Sequence, residues 1–298
     1  MNSTIAVVIV AWNNYLDTQE CIDSILDQQI VKTKIFLVDN GSDIESLVDL
    51  GEKYPDITYI RSDSNLGFAA GYNLGLQKAL TGDYHFFLII NNDTKADPFM
   101  LNELAEASKD ERVGLVAPII YYYDSPDRIW SSGGSVNEFL LMPLESHNQR
   151  SIIGGPTERT FISGCCYLLK RDLLEQVGLF DERFFLYFED LDLCMRVNKS
   201  QWKMMVIPTA KLWHKVSRSS GGQDSERERY QYALSSGLYF RKYISVANAI
   251  PIILFRLGSA LKTTVKLLLR GETKAISGYF QGIYMGLIKR GQRKSGKN

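Results

Sequence analysis

The common phosphate fingerprints are missing from this chain. No GxxxxGK[ST] loop is present, and no GxGxxG follows the first apolar run, which continues as Ala11-Trp12-Asn13-Asn14. P-loop enzymes and nicotinamide dehydrogenases lose their usual signature, and so does a nucleotidyltransferase with a Gly-rich basic loop at that position. Cysteine is scarce. Cys21, Cys165, Cys166 and Cys194 form no CxxC pair and no metal-type spacing, which excludes a disulfide scaffold and favours a reduced, cytosolic chain. Long apolar runs are lacking as well. Residues 5–11 have no basic flank and do not read as a secretory signal, and the uncharged run 243–255 is too short to span a bilayer and contains Pro251. Net charge is +0, but it is unevenly spread. Residues 241–298 hold twelve Lys/Arg and one acid, Glu272, a net +11, against 22 basic and 33 acidic residues in 1–240. A basic tail of this kind predicts contact with an anionic surface. No nucleic-acid partner is expected.

What remains is a large α/β chain. Its 298 residues and 45% apolar content suffice for one large domain, or one domain with an appendage. Residues 84–90 form an apolar run that ends in Asn91-Asn92-Asp93-Thr94. Ligands of open α/β sheets sit beyond the carboxyl ends of strands. A carboxylate flanked by carboxamides there suits Mg²⁺ or Mn²⁺ holding a diphosphate, although the same residues also open turns. Around this stretch the pattern alternates. Strands are expected at 5–11, 34–38, 57–61 and 113–118, and helices at 15–28, 44–54, 65–80 and from Asp97-Pro98, where Asp fits the N-cap and Pro the first turn. The alternation predicts a mostly parallel central sheet with helices on both faces. Residues 121–160, rich in Gly, Ser and Pro, read as loops walling a cleft. A strand at 161–170, a helix at 171–177, a helix opening at Glu189 and reaching about 199, and a strand at 203–207 follow. Residues 216–225 read as a polar loop able to close over a ligand.

Several residues stand where chemistry is done. Asp39 directly follows the second strand, where a carboxylate can accept from the imide N3–H of uracil or thymine; Asp39-Asn40-Gly41-Ser42 also fits an Asx-turn. Gly67, Gly71 and Gly75 recur every four residues, which suits either close helix packing or backbone approach to an anion at a helix N-terminus. Glu189-Asp190 opens a helix after the aromatic run 184–188. Acids there are favoured by the helix dipole, and a carboxylate against an apolar wall also has its pKa raised toward that of a general base. His214 follows Trp213 near a strand end and could supply an imidazole ligand, although a lone histidine is often structural.

Together these pieces resemble a family 2, GT-A fold inverting glycosyltransferase, most closely a bacterial rhamnosyltransferase-like member. They are Val8 to Asn13, Val38-Asp39-Asn40-Gly41-Ser42, Asn65-Leu66-Gly67-Phe68-Ala69-Ala70-Gly71-Tyr72-Asn73, Asn91-Asn92-Asp93, Ser163-Gly164-Cys165-Cys166, Phe185 to Leu193, and Trp213-His214. They occur in the family's order over about residues 4–220. The resemblance implies that Asp39 reads a pyrimidine base and that Trp12, Asn13, Asn65, Gly67, Asn73, Asn91 and Asn92 line the nucleotide-sugar pocket. It makes Asp93 the metal-binding acid, His214 a second metal ligand, Asp190 the catalytic base and Glu189 its neighbour. Asn91 departs from the acid usual at the first position of the metal motif. The implied donor is dTDP-L-rhamnose, with UDP-galactofuranose or another UDP-hexose as runner-up; a binding protein without catalysis is the alternative class.

The chain divides on this reading into a catalytic domain, 1–240, and a basic helical segment, 241–298. On a helix from Pro251 to Arg270, the basic residues Arg256, Lys262, Lys266 and Arg270 share a sector of roughly 120°, and Leu257, Leu261, Val265 and Leu268 lie on another side. A basic amphipathic helix of this kind fits a peripheral position on the inner face of the cell membrane and a lipid-linked glycan acceptor. The alternatives are a helix packed on the catalytic part or an oligomer interface.

Overall fold

The computed structural model describes residues 4–43, 48–147, 155–216 and 225–288. Four strands form the first half of the sheet: β1 (Ile5–Ala11), β2 (Thr33–Asn40), β3 (Thr58–Ser62) and β4 (Phe86–Asn91), all parallel in the order β3-β2-β1-β4. Between them run α1 (Tyr15–Leu26), α2 (Val48–Lys53) and α3 (Gly67–Leu80). The β-branched run of β1 sends Ala6 and Val8 to one core, and Ile5, Val7 and Ile9 to another. Alternate residues of a strand face opposite sides. Both sides must therefore be covered, which is what an uninterrupted apolar strand signals.

The second half is mixed. After β5 (Thr94–Ala96) and α4 (Met100–Ala107) come β6 (Val113–Tyr122), β7 (Ser125–Ser131), the hairpin β8 (Gly134–Asn137) with β9 (Met142–Glu145), β10 (Thr157–Arg159), and β11 (Cys166–Lys170). Helices α5 (Arg171–Val177) and α6 (Glu189–Asn198) and the long strand β12 (Lys203–His214) follow. β11 enters antiparallel between β4 and β6, and β12 lies parallel to β6. The sheet is thus mostly parallel with an antiparallel insert. The expected loops at 121–160 contain β7, β8, β9 and β10, a correction to the reading above. Glycine and serine there serve tight hairpins: Gly134 lies directly opposite Glu145, and a side chain on Gly134 would strike the Leu144 carbonyl at 2.2 Å. β12 outruns its expected end at 207 because a register shift between Ile207 and Lys211 absorbs Pro208.

Three helices close the chain: α7 (Glu226–Tyr243), α8 (Ala249–Leu269) and α9 (Thr273–Ile288). The division expected at 240/241 falls inside α7. That helix is fixed at both levels of the fold. Ser235 Oγ donates to the Leu186 carbonyl, and Lys242 reaches Asp192 and Asp181. α9 lies against α7 through Gly278, Gly282 and Gly286, with Gly286 meeting Gly237. α8 leaves Ile250, Ile253, Leu254, Leu257, Leu261, Val265 and Leu268 exposed. Among the described residues, no helix is long and apolar enough to cross a membrane. The expected closing loop falls mainly on residues 217–224, and five basic residues of the tail on 289–298, all outside the described residues.

Candidate active site

The carboxyl ends of β2, β1 and β4 lie side by side, so Asp39, Trp12, Asn13 and Asn91 to Asp93 share one edge of the sheet. β5 was not legible in the sequence, and it decides which side chain meets Asp93. Its pairing with β12 sets Thr94 opposite His214, and this carries the imidazole to Asp93 across 120 residues of chain. Asp93 Oδ1 lies 3.2 Å from His214 Nε2, and both residues are buried. Two ligands bound cis to one Mg²⁺ or Mn²⁺ at about 2.1 Å are about 3 Å apart, so the pair fits a hard divalent ion. No group of three or more His, Cys, Asp or Glu able to hold a metal occurs among the described residues. Trp130 meets the His214 ring edge-on at 4.7 Å and fixes its plane.

Asp190 and Glu189 begin α6 after a strained turn. Tyr187 and Phe188 both have positive φ, 69° and 68°, which bulky residues adopt at a cost. The rings of Tyr187 and Phe188 pack on Tyr232 of α7, and Phe188 also packs on Tyr239, so α7 holds the turn in place. Asp190 accepts from the Gly164 N–H at 3.0 Å and from the Leu191 N–H at 2.7 Å. Burial raises its pKa, and these N–H bonds oppose the shift. A side chain on Gly164 would approach Asp190 Cβ to 3.1 Å. Glu189 differs sharply. It is buried, its Oε2 has no hydrogen-bond partner among the described residues, and burial followed by the Asp190 charge pushes its pKa well up. Glu189 therefore holds its proton more tightly than a free glutamate, while the two N–H groups favour the charged form of Asp190.

The remaining expected site residues divide into two groups. Trp12 is half-buried at the sheet edge, with the Arg227 guanidinium 5.7 Å above its ring. Asn13 is exposed, and its backbone and side chain tie the β1 end to Ser42 and Asp43. Asn91 accepts from the Tyr72 hydroxyl at 3.2 Å. The others serve the fold. Asn73 donates to the Phe180 carbonyl and accepts from the Phe180 N–H, so it clamps α3 to the loop before α6. Asn92 is buried and donates to Thr18. Asn65 accepts from the Gly67 N–H and holds the entry to α3. Gly67 has φ +80°, and a side chain on it would sit 2.2 Å from the Phe185 carbonyl. Its close approach is to the turn before Glu189, not to an anion.

Asp39 is fully buried. Oδ1 accepts from the Ser42 N–H, and Oδ2 accepts from the Tyr59 hydroxyl and from Arg61, each at 2.9 Å. Three of about four acceptor positions are filled. Burial and the Asp39 bond push the Tyr59 phenol up to about 12. Arg61, 35% exposed, covers the carboxylate. Neither Tyr59 nor Arg61 was evident beforehand, because only the β2–β3 register sets Arg61 opposite Asp39.

A parallel half-sheet in the order β3-β2-β1-β4, continued by β11, β6 and β12 and flanked by helices, is the architecture of glycosyltransferases of the GT-A fold. Residues 6–178 match Glycosyl transferase family 2, and the chain belongs to that family. An N-acetylglucosaminyl-diphospho-decaprenol L-rhamnosyltransferase of Mycobacterium tuberculosis is 28% identical over 210 residues, 63% of this chain and 68% of the relative. A galactofuranosyltransferase of Mycolicibacterium smegmatis is 25% identical over 199 residues, 65% of each chain. Among solved structures, the mannosyltransferase PcManGT of Pyrobaculum calidifontis, in complex with GDP-Man and Mn²⁺, superposes with TM-score 0.59 at 17% identity, covering 97% of this chain and 88% of that one. The last likeness concerns the fold.

Proposed function

We propose that the protein is an inverting, metal-dependent transferase that moves a sugar from a nucleotide diphosphate donor to a glycan hydroxyl. The carrying observation is Asp190, a carboxyl held by two N–H groups at the start of α6 beside the buried Glu189. Asp190 takes the proton from the acceptor hydroxyl, which attacks the anomeric carbon on the face opposite the leaving diphosphate, so the centre inverts. Asp93 and His214 would hold a divalent ion, which would supply neutralising charge for that diphosphate. Arg61 over Asp39 faces the base, and Trp12 and Asn91 border the diphosphate and sugar. The favoured donor is dTDP-L-rhamnose, supported by the relative named as a rhamnosyltransferase; the galactofuranosyltransferase likeness keeps UDP-galactofuranose as the second donor. The acceptor is a lipid-linked glycan in cell-surface polysaccharide synthesis, reached by a peripheral position on the inner membrane face. The exposed apolar side of α8, flanked by Lys262 and Lys266, supports that position. A thermal-shift panel of nucleotide sugars with Mg²⁺ and Mn²⁺ tests the reading. A dTDP- or UDP-sugar should raise the melting temperature only with metal present; no stabilisation by any nucleotide sugar would overturn it.

A further inference from the structure

A cleft beyond the carboxyl end of β6 belongs to none of the donor residues. It has a volume of about 680 Å³ and is lined by Tyr122, Pro126, Asp127, Arg128, Ile129 and His147, among others. Two separate paths of contact lead to it from the active site. His214 meets the ring of Trp130, and the Trp130 carbonyl accepts from Nδ1 of His147 at 2.6 Å. From Asp190, the path runs through the Gly164 N–H to the preceding Phe161, which bridges Gly134. Gly134 faces Glu145 across the β8–β9 hairpin, and the Glu145 carboxylate lies 4.0 Å from His147 Nε2. Desolvation, then the Asp190 charge, holds the Glu145 carboxyl above its ordinary pKa. His147 thus stands where the ion pair and the base converge on one wall.

The lining has a definite chemistry. A carbonyl only accepts, so Nδ1 of His147 carries the hydrogen of its bond to Trp130. Asp127 accepts, and the Ser125 hydroxyl can accept or donate. Arg128 spreads its planar donors 4.7 Å above the Tyr122 ring. A carboxylate, a hydroxyl, one planar donor and an aromatic ring suit a neutral polyhydroxylated ligand, whereas an anion would meet Asp127. We infer that this cleft is the acceptor subsite, binding a neutral pyranose whose reacting hydroxyl extends past Glu145 and His147 to Asp190.

The inference rests on the transferase reading and is tested apart from it. Saturation-transfer NMR on the full chain would use octyl glycosides of N-acetylglucosamine, glucose, galactose and L-rhamnose, beside UDP and dTDP. At least one glycoside should bind, and Arg128→Ala and His147→Ala should each weaken it about tenfold, the loss of one hydrogen bond to a charged or polar partner. Nucleotide affinity should not move. Both side chains are exposed, so neither change threatens the fold. Nucleotide binding with no glycoside signal, or a glycoside signal indifferent to both substitutions, overturns the acceptor subsite alone. Failure of the wild type to bind UDP and dTDP overturns the transferase reading and this inference with it.

Discussion

Two adjacent carboxyls do different work because their surroundings differ by a pair of N–H groups. Asp190 has two donors, and Glu189 Oε2 has none among the described residues. Asp190→Asn should lower kcat by about 10²–10⁴ while donor and metal still bind, since the amide keeps the shape but takes no proton. The raised pKa of Asp190 places the acid limb of kcat/KM above the 3.9 of a free aspartate, with activity rising as pH rises through it. Glu189→Gln mimics the neutral acid, so the limb should stay where it is. A limb displaced downward in that variant would mean that Glu189 carries charge. The same shifts govern stability. Folding raises both carboxyl pKa values, so their contribution is complete below the free carboxylate range and is lost as pH rises through the folded values. Glu189→Gln should therefore lose less stability than wild type on going to high pH, as pH-dependent melting would record. Asp93→Ala should abolish metal-dependent donor binding and leave the fold intact, since among the described residues its side chain pairs with His214. Calorimetric titration with UDP or dTDP and Mn²⁺ checks this, and unchanged affinity removes Asp93 from the metal site.

At the scale of elements, α6 and α7 are joined by ions in the protein interior. Asp192 is fully buried and accepts from Arg196 at 3.0 Å, Lys242 at 2.5 Å and the Tyr243 hydroxyl at 2.8 Å. Lys242 also reaches Asp181 at 2.8 Å. Asp181 lies in the segment 180–185 that Asn73 and Gly67 hold against α3, so α3, α6 and α7 share one frame. Removing one member of a fully buried pair costs about 3–5 kcal/mol. The Arg196 and Lys242 side chains keep 20% and 26% exposure, so Asp192→Asn should cost about 2–4 kcal/mol. The expected signature is a melting temperature lower by roughly 5–10 °C, with rate per folded molecule within a few-fold of wild type. A large loss of rate at unchanged melting temperature would place Asp192 in the chemistry.

At the scale of the molecule, the two ends of the charge asymmetry meet differently than the sequence suggests. α7 and α9 form a close pair whose glycines admit backbone contact, so part of the basic segment belongs to the catalytic body. α8 presents an apolar stripe outward, and Phe280, Tyr284 and Leu287 of α9 are also exposed. An exposed patch of this kind marks an interaction surface. If the occupant is an anionic membrane, Leu257→Asp with Leu261→Asp should abolish co-sedimentation with phosphatidylserine vesicles and leave the melting temperature unchanged, because both side chains are more than 60% exposed. Equal sedimentation of variant and wild type would remove α8 from membrane binding.

The sequence by itself determined the parallel half of the sheet, since β1, β2 and β4 are apolar runs that only two-sided burial explains. It also determined the order of the family's pieces, and with them Asp93, Asp190 and His214 as candidates, because strand ends and helix starts carry local signals. It was silent on β7 to β10, whose short polar strands resemble loops until their partners are known. Tertiary structure alone decided which candidates meet. The β5–β12 pairing brings Asp93 to His214, the β2–β3 register sets Arg61 over Asp39, and packing fastens Asn73 to Phe180, Asn92 to Thr18 and Gly67 against Phe185. The reason is physical: hydrophobic period and capping act over a few residues, whereas a cross-strand contact or a buried carboxyl's missing partner exists only once distant segments share one surface.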